Sequence, residues 1–94
     1  MLPTHRTAMH PGRVLQHEFL VPMDLSQKAL ALHLGVSVQR VNELVRGKRG
    51  VSAETAWLLA EAFGTSPEFW INLQTAHDLS VHRPTRHIAR IEAT

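Results

Sequence analysis

The sequence predicts an all-α domain made of five short helices. Three observations lead to this prediction: apolar residues recur at helical spacing, serines stand where helices would begin, and glycine or proline follows where they would end. No segment of the 94 residues gives a convincing strand. With 44% hydrophobic residues, the chain is long enough to fold as one domain around one modest core.

The first three helices are predicted from their start and stop residues. The first runs over residues 11–20, because Pro11 suits a first helical position and Pro22 ends the helix. The second runs over residues 26–34 and the third over residues 37–46. Each of these two starts at a serine, whose hydroxyl can accept an unpaired backbone N–H, and each is followed by a glycine.

The last two helices have similar boundary signals. The fourth is predicted over residues 52–63 and the fifth over residues 66–82, where a serine cap is followed by proline. Residues 1–9 are predicted to be a flexible arm, and residues 83–94 a loose tail or a short extra element. The helical domain itself is therefore assigned to residues 10–82.

The second and third predicted helices have the spacing of a helix-turn-helix over residues 26–46, a geometry that places one short helix in the DNA major groove. Gln27 starts the first of these helices, and the small Ala31 lets the two helices cross closely. Gly35 lies in the turn, where a left-handed backbone is easiest without a Cβ. Val41 faces inward from the second helix.

Ten residues in and around this motif are candidate DNA contacts. With Val41 directed into the core and about 100° between successive residues, the opposite face of the third helix is polar and partly basic. Glutamine can pair with adenine, glutamate can accept from a cytosine amine, and valine can meet a thymine methyl. The base-reading candidates are Val38, Gln39 and Glu43. The candidates for phosphate, which positions the protein without reading sequence, are Gln27, Ser37, Arg40, Arg46, Lys48 and Arg49, and Asn42 lies on the flank of the same surface.

Charge is distributed unevenly along the chain. Residues 1–50 carry seven Lys or Arg against three Asp or Glu, whereas residues 51–82 carry four acids and no Lys or Arg. This distribution suits one surface for a polyanion and another for a different partner. The alternative is that the uneven distribution arises by chance and the charged side chains only face water. Glu43 should repel phosphate unless it meets a base amine or pairs with Arg40 or Arg46.

Composition and spacing give no support to an enzyme or a metal site. The chain has no cysteine, and no two of its seven histidines have the i, i+4 spacing of a helical zinc motif. Four serines sit at helix caps, so none is a candidate nucleophile. We therefore expect no cofactor, no metal and no catalytic residue. Without a membrane-length apolar run or a signal-peptide stretch, we expect a cytoplasmic protein with no membrane partner.

One recognition helix in a small domain predicts a two-fold dimer on a palindromic site. The fifth helix is the best candidate for the dimer surface, because it has more apolar bulk than the last helix of a small domain needs. The candidate residues are Phe69, Trp70, Leu73 and Ala76. The alternative is that the first three of them complete the core of the monomer, and the two roles are compatible in part.

Five blocks of sequence carry a further signal: His10-Pro-Gly-Arg-Val-Leu-Gln-His-Glu-Phe-Leu20, Leu25-Ser-Gln27, Arg40-Val-Asn-Glu-Leu-Val-Arg-Gly-Lys-Arg49, Thr55-Ala-Trp-Leu-Leu-Ala60 and Phe63-Gly-Thr-Ser-Pro-Glu-Phe-Trp-Ile-Asn-Leu-Gln74. Together they resemble the HigA-type antitoxins, also called VapI-like, of the lambda-repressor-like helix-turn-helix superfamily. The resemblance covers residues 10–82, and its last block is the most specific. It implies a five-helix lambda-repressor-like DNA-binding domain.

The resemblance also implies a function. An antitoxin of a bacterial type II pair would neutralise a HigB-like toxin, an mRNA-cleaving ribonuclease of the RelE superfamily. As a homodimer built through its C-terminal helix, it would bind double-stranded operator DNA and repress its own operon. Two alternatives stay open, a stand-alone helix-turn-helix regulator without a toxin and an interaction module that no longer binds DNA.

Overall fold

The computed structural model describes residues 7–92, which form five consecutive helical elements and no strand. The first helix is α1 (Pro11–Val14), which continues without a break into a π-helical segment (Leu15–Leu20). The others are α2 (Gln27–Leu34), α3 (Val38–Val45), α4 (Ala53–Phe63) and α5 (Pro67–Val81). The predicted all-α class is confirmed for this part of the chain.

Serine side chains fix the starts of α2, α3, α4 and α5. In each case the hydroxyl oxygen accepts the backbone N–H of the residue three positions on, as Ser37 does from Arg40 at 3.1 Å. At α1 the cap is His10, whose Nδ1 accepts the N–H of Gly12 at 2.9 Å. Because each cap pairs a backbone donor that the helix itself leaves free, the boundaries are determined locally by sequence.

The first helix departs from the regular α-helix that the sequence predicts. Over the π-helical segment the hydrogen bonds span five residues, and this ladder ends with the N–H of Val21 on the carbonyl of Gln16 at 2.9 Å. Leu15 and Leu20, five residues apart, are both fully buried as a result. A 3.6-residue period would not place them on the same side, so the wider helix supplies the second leucine to the core.

The core lies where α4 and α5 pack against the first helix and the α2–α3 pair. Trp70 of α5 has no exposed surface, and its Nε1 donates to Thr65 Oγ1 at 2.8 Å. Its ring lies 5.2 Å from that of Phe19, centroid to centroid. The buried members of this core are Leu15, Leu20, Leu30, Ala31, Val41, Leu44, Val51, Ala56, Leu59 and Trp70.

The two ends of the described chain differ in their packing. Of the predicted arm, residues 1–6 lie outside the described residues, but Ala8 is bound to α5: its N–H donates to Ser80 Oγ at 2.9 Å, and its carbonyl lies 2.8 Å from His77 Nδ1. The ring of His77 also meets that of His10 edge to face. Of the predicted tail, residues 83–92 follow α5 as an irregular segment in which every residue is exposed, and residues 93–94 lie outside the described residues.

Candidate nucleic-acid interface

Helices α2 and α3 form the predicted helix-turn-helix. Gly35 ends α2 in the left-handed conformation, at φ 74°, and its N–H bonds to the carbonyl of Ala31 at 2.9 Å. Burial of Ala31 on α2 and of Val41 on α3 holds the two helices together on their inner faces. The opposite face of α3 is therefore left to solvent, as a recognition helix requires.

The N-terminal turn of α3 presents its side chains to solvent. Ser37 caps the helix, Gln39 is exposed, and Val38 is 50% exposed although its side chain is apolar. This pairing of an amide with an apolar group is chemically suited to adenine and to the methyl group of thymine. The three side chains stand together where recognition helices contact base edges.

Gln27 and Asn42 are joined across the motif. Asn42 Nδ2, in the middle of α3, donates to Gln27 Oε1, at the start of α2, at 3.1 Å. This bond uses the carbonyl oxygen of Gln27 and leaves both N–H groups of its amide as donors. Asn42 thus positions Gln27, a role that spacing alone did not assign to it.

Glu43 is paired, but not with the arginines that the sequence suggested. Its Oε1 accepts from Arg49 Nη2 at 2.9 Å and from Arg49 Nε at 3.1 Å, and Gln39 Nε2 donates to its Oε2 at 3.4 Å. The prediction of Arg40 or Arg46 as partner is wrong, because the chain turns back after α3: the N–H of Lys48 bonds to the Glu43 carbonyl at 2.8 Å. The hydrogen bond from Arg49 holds the pKa of Glu43 below its ordinary value.

Arg40 is bonded within the domain, to the start of α4. Its Nη2 donates to Glu54 Oε1 at 2.9 Å and to Thr55 Oγ1 at 2.8 Å, which ties α3 to the first turn of α4. In this unbound structure Arg40 is thus engaged within the domain, and its predicted phosphate contact stays a prediction. Arg40 lies on the flank of α3 that packs toward α4, where Glu54 is itself favoured by the helix dipole.

The C-terminal end of α3 carries the remaining basic candidates. Arg46 and Lys48 are both exposed there, on the turn that Gly47 opens with φ 73°. The sequence analysis did not identify Gln74 and His10 as the residues that support this turn. Gln74 Oε1 of α5 accepts the N–H of Val51 at 2.7 Å, and a Cβ built on Gly47 would lie only 3.7 Å from the imidazole of His10. The only sequence signal for the first contact was the position of Gln74 at the end of the specific 63–74 block.

The dimer candidates on α5 separate into two groups. Trp70 is wholly inside the monomer, so its prediction as an interface residue is corrected: a side chain with no exposed surface cannot contact a partner. Phe69 is 38% exposed, Leu73 is half-buried and Ala76 is exposed. Leu79, which the sequence analysis did not select, is 72% exposed one turn beyond Ala76.

Comparison with known proteins agrees with this geometry. Residues 17–70 match the sequence model of the helix-turn-helix family. Among curated relatives, the virulence-associated protein I of Dichelobacter nodosus is 50% identical over 74 residues, which cover 79% of this chain and 68% of that protein. Antitoxin HigA-1 of Vibrio cholerae is 45% identical over 80 residues, covering 84% and 74% of the two chains.

Solved structures give the same picture. The Pseudomonas aeruginosa antitoxin HigA, determined with the higBA promoter, superposes with a TM-score of 0.76 at 46% identity, over 78% of this chain and 79% of that one. The antitoxin GraA in complex with its operator superposes with a TM-score of 0.77 at 38% identity, over 95% and 100%.

The fold and the exposed face of α3 thus define a helix-turn-helix protein, a class of DNA-binding regulators rather than of enzymes. Within that class, the chain belongs to the HigA-type antitoxin family, together with virulence-associated protein I. The resemblance in the sequence blocks is confirmed. In the part of the chain from residue 7 to residue 92, no helix is both long and apolar enough to cross a bilayer.

Proposed function

We propose that this chain is the antitoxin of a type II toxin–antitoxin pair, which binds its own operator as a dimer and represses its operon. The observation that carries the proposal is the exposed N-terminal turn of α3, with Gln27 held beside it, in a chain whose fold matches antitoxins solved with promoter and operator DNA. The protein would act in the cytoplasm, where the operator DNA is.

The structure supports a division of labour on the DNA surface. Val38 and Gln39 would read base edges, because both are exposed in the first turn of the recognition helix. Phosphates would be bound by side chains at the starts of α2 and α3 and at the turn after α3. These are Gln27, Ser37, Arg46 and Lys48.

Arg49 and Glu43 would act as a pair on this surface. In the unbound chain the carboxylate is covered by the guanidinium, so that its charge is partly cancelled where phosphate would approach. Binding to DNA would draw Arg49 toward a phosphate and leave Glu43 to accept from a cytosine amine. Arg40, bound to Glu54, would stabilise the domain without contacting DNA.

Dimerisation would use the exposed side of α5. Phe69, Leu73 and Ala76 recur at helical spacing, and the exposed Leu79 extends this apolar face by one turn. Pairing two such helices about a two-fold axis would present two recognition helices to the two halves of a palindrome. The folded unit that does so would be residues 10–82.

The toxin partner would be a HigB-like ribonuclease. Two assays test the complete proposal: expression from a reporter fused to the chain's own upstream region, and mRNA cleavage by the product of the neighbouring gene. We expect the chain to reduce reporter expression and to inhibit cleavage in a purified mixture. Repression without inhibition of any neighbouring product would instead support a stand-alone regulator.

A further inference from the structure

The segment after α5 is a second basic surface, separate from the helix-turn-helix. Three arginines stand in it, Arg83, Arg86 and Arg90, against one acid, Glu92. All of these residues are exposed, and among residues 7–92 none of their side chains has a hydrogen-bond or ion-pair partner. The acidic stretch 51–82 precedes the segment directly, yet the arginines do not fold back onto it.

The position of this segment follows from the contacts of α5. Gln74 binds the backbone of Val51, and His77 packs on His10, which in turn lies against Gly47. The last turns of α5 therefore stand beside the turn that carries Lys48. From His77 to Val81, the end of α5, is only about 6 Å at 1.5 Å per residue, so the segment starts close to the proposed phosphate contacts.

The segment also has the reach and the conformation for an extended ligand. Pro84 cannot continue the helix, and the residues that follow are irregular. Ten residues in extended form span up to roughly 33 Å, a length comparable with ten phosphates of one DNA strand at about 3.4 Å each.

We propose that residues 83–92 form an arm that binds the phosphates of DNA flanking the operator, through Arg83, Arg86 and Arg90. The proposal rests on the proposed function, because the domain must first be anchored on its operator. The arm adds affinity without sequence preference, since arginine bound to phosphate positions a protein and does not read bases. It therefore lengthens the DNA footprint beyond the palindrome.

The test compares two duplexes and three proteins. One duplex ends at the edges of the operator, and the other carries about fifteen base pairs of arbitrary sequence on each side. The proteins are the full chain, the triple variant Arg83→Gln/Arg86→Gln/Arg90→Gln, and a matched control, Ile88→Ser/Ile91→Ser, which changes the same exposed segment without changing its charge. Binding is measured by fluorescence anisotropy between 50 and 200 mM salt.

We expect the full chain and the control to bind the long duplex more tightly than the short one, with a steeper salt dependence. Each arginine bound to phosphate adds roughly 0.9 to the slope of log K against log salt, so six arginines of a dimer add up to about 5. The triple variant should lose this difference and keep the affinity of the full chain for the short duplex.

Equal slopes for the full chain and the triple variant on the long duplex would overturn the arm. If the slopes are equal but the full chain still prefers operator over scrambled DNA, the proposed function stands without the arm. If the full chain does not prefer operator over scrambled DNA, the proposed function itself is overturned. A triple variant that binds DNA normally but no longer binds the toxin would overturn the DNA arm in favour of an acidic protein surface as the partner.

Discussion

Replacing Gln39 by alanine should weaken operator binding specifically, without affecting the fold. Gln39 is exposed in the first turn of α3, and its amide makes one long contact, 3.4 Å, to Glu43. Because nothing buried depends on this side chain, the free energy of unfolding should change by less than about 0.5 kcal/mol. A bidentate bond to adenine contributes about 1–3 kcal/mol of discrimination, so operator affinity should fall roughly 5- to 150-fold for each half-site.

Fluorescence anisotropy with operator and scrambled duplexes measures this effect. Lys48→Ala is the matched control. Loss of a phosphate contact should weaken binding to both duplexes by similar factors and flatten the salt dependence of binding. Thermal unfolding of each variant confirms that the fold is retained. Equal losses for Gln39→Ala on operator and on scrambled DNA would refute its role in base reading.

Three other substitutions test the remaining contacts. Arg40→Ala should leave the salt dependence of DNA binding unchanged and cost roughly 1–2 kcal/mol of stability, because the mostly buried guanidinium also bonds the buried Thr55; a flatter salt slope would show that Arg40 contacts phosphate. Glu43→Gln should tighten binding to scrambled DNA, because it removes a negative charge and frees Arg49; unchanged or weaker binding in a gel-shift titration argues against this. Trp70→Ala should lose about 3–5 kcal/mol in chemical denaturation, since it empties a fully buried site, and a near-native midpoint would contradict the core assignment.

Helix boundaries were predictable because their causes are local. A serine hydroxyl reaches the N–H three residues ahead of it, so Ser26, Ser37, Ser52 and Ser66 could be recognised without knowing any long-range contact. Gly35 ends α2 for a reason that is equally local. The inner face of α3 was predictable too, since helical periodicity places Val41 and Leu44 on one side.

The π-helical segment was not predictable in this way. The wider turn is set by packing. Leu15 and Leu20 are five residues apart, and both reach the core because the backbone hydrogen bonds of this segment also span five residues. An analysis of the sequence that assumes the 3.6-residue period of an α-helix does not predict a π-helical turn.

Side-chain partners within the candidate site were also set by tertiary structure. Helical spacing suggested Arg40 or Arg46 for Glu43, but the turn after Gly47 brings Arg49 back over the carboxylate instead. Likewise, an apolar residue on the last helix can serve the core or an interface, and the sequence does not distinguish the two. Trp70 lies in the core because its ring packs against the rings of Phe19 and Phe63.

Specific binding of operator DNA is the central claim, and a single titration tests it most directly. The purified full chain is titrated against a duplex from its own upstream region and against a scrambled duplex of equal length, at two salt concentrations. We predict salt-sensitive binding that clearly prefers the upstream duplex at both salt concentrations. Equal binding to the two duplexes, or no binding to either, would contradict it.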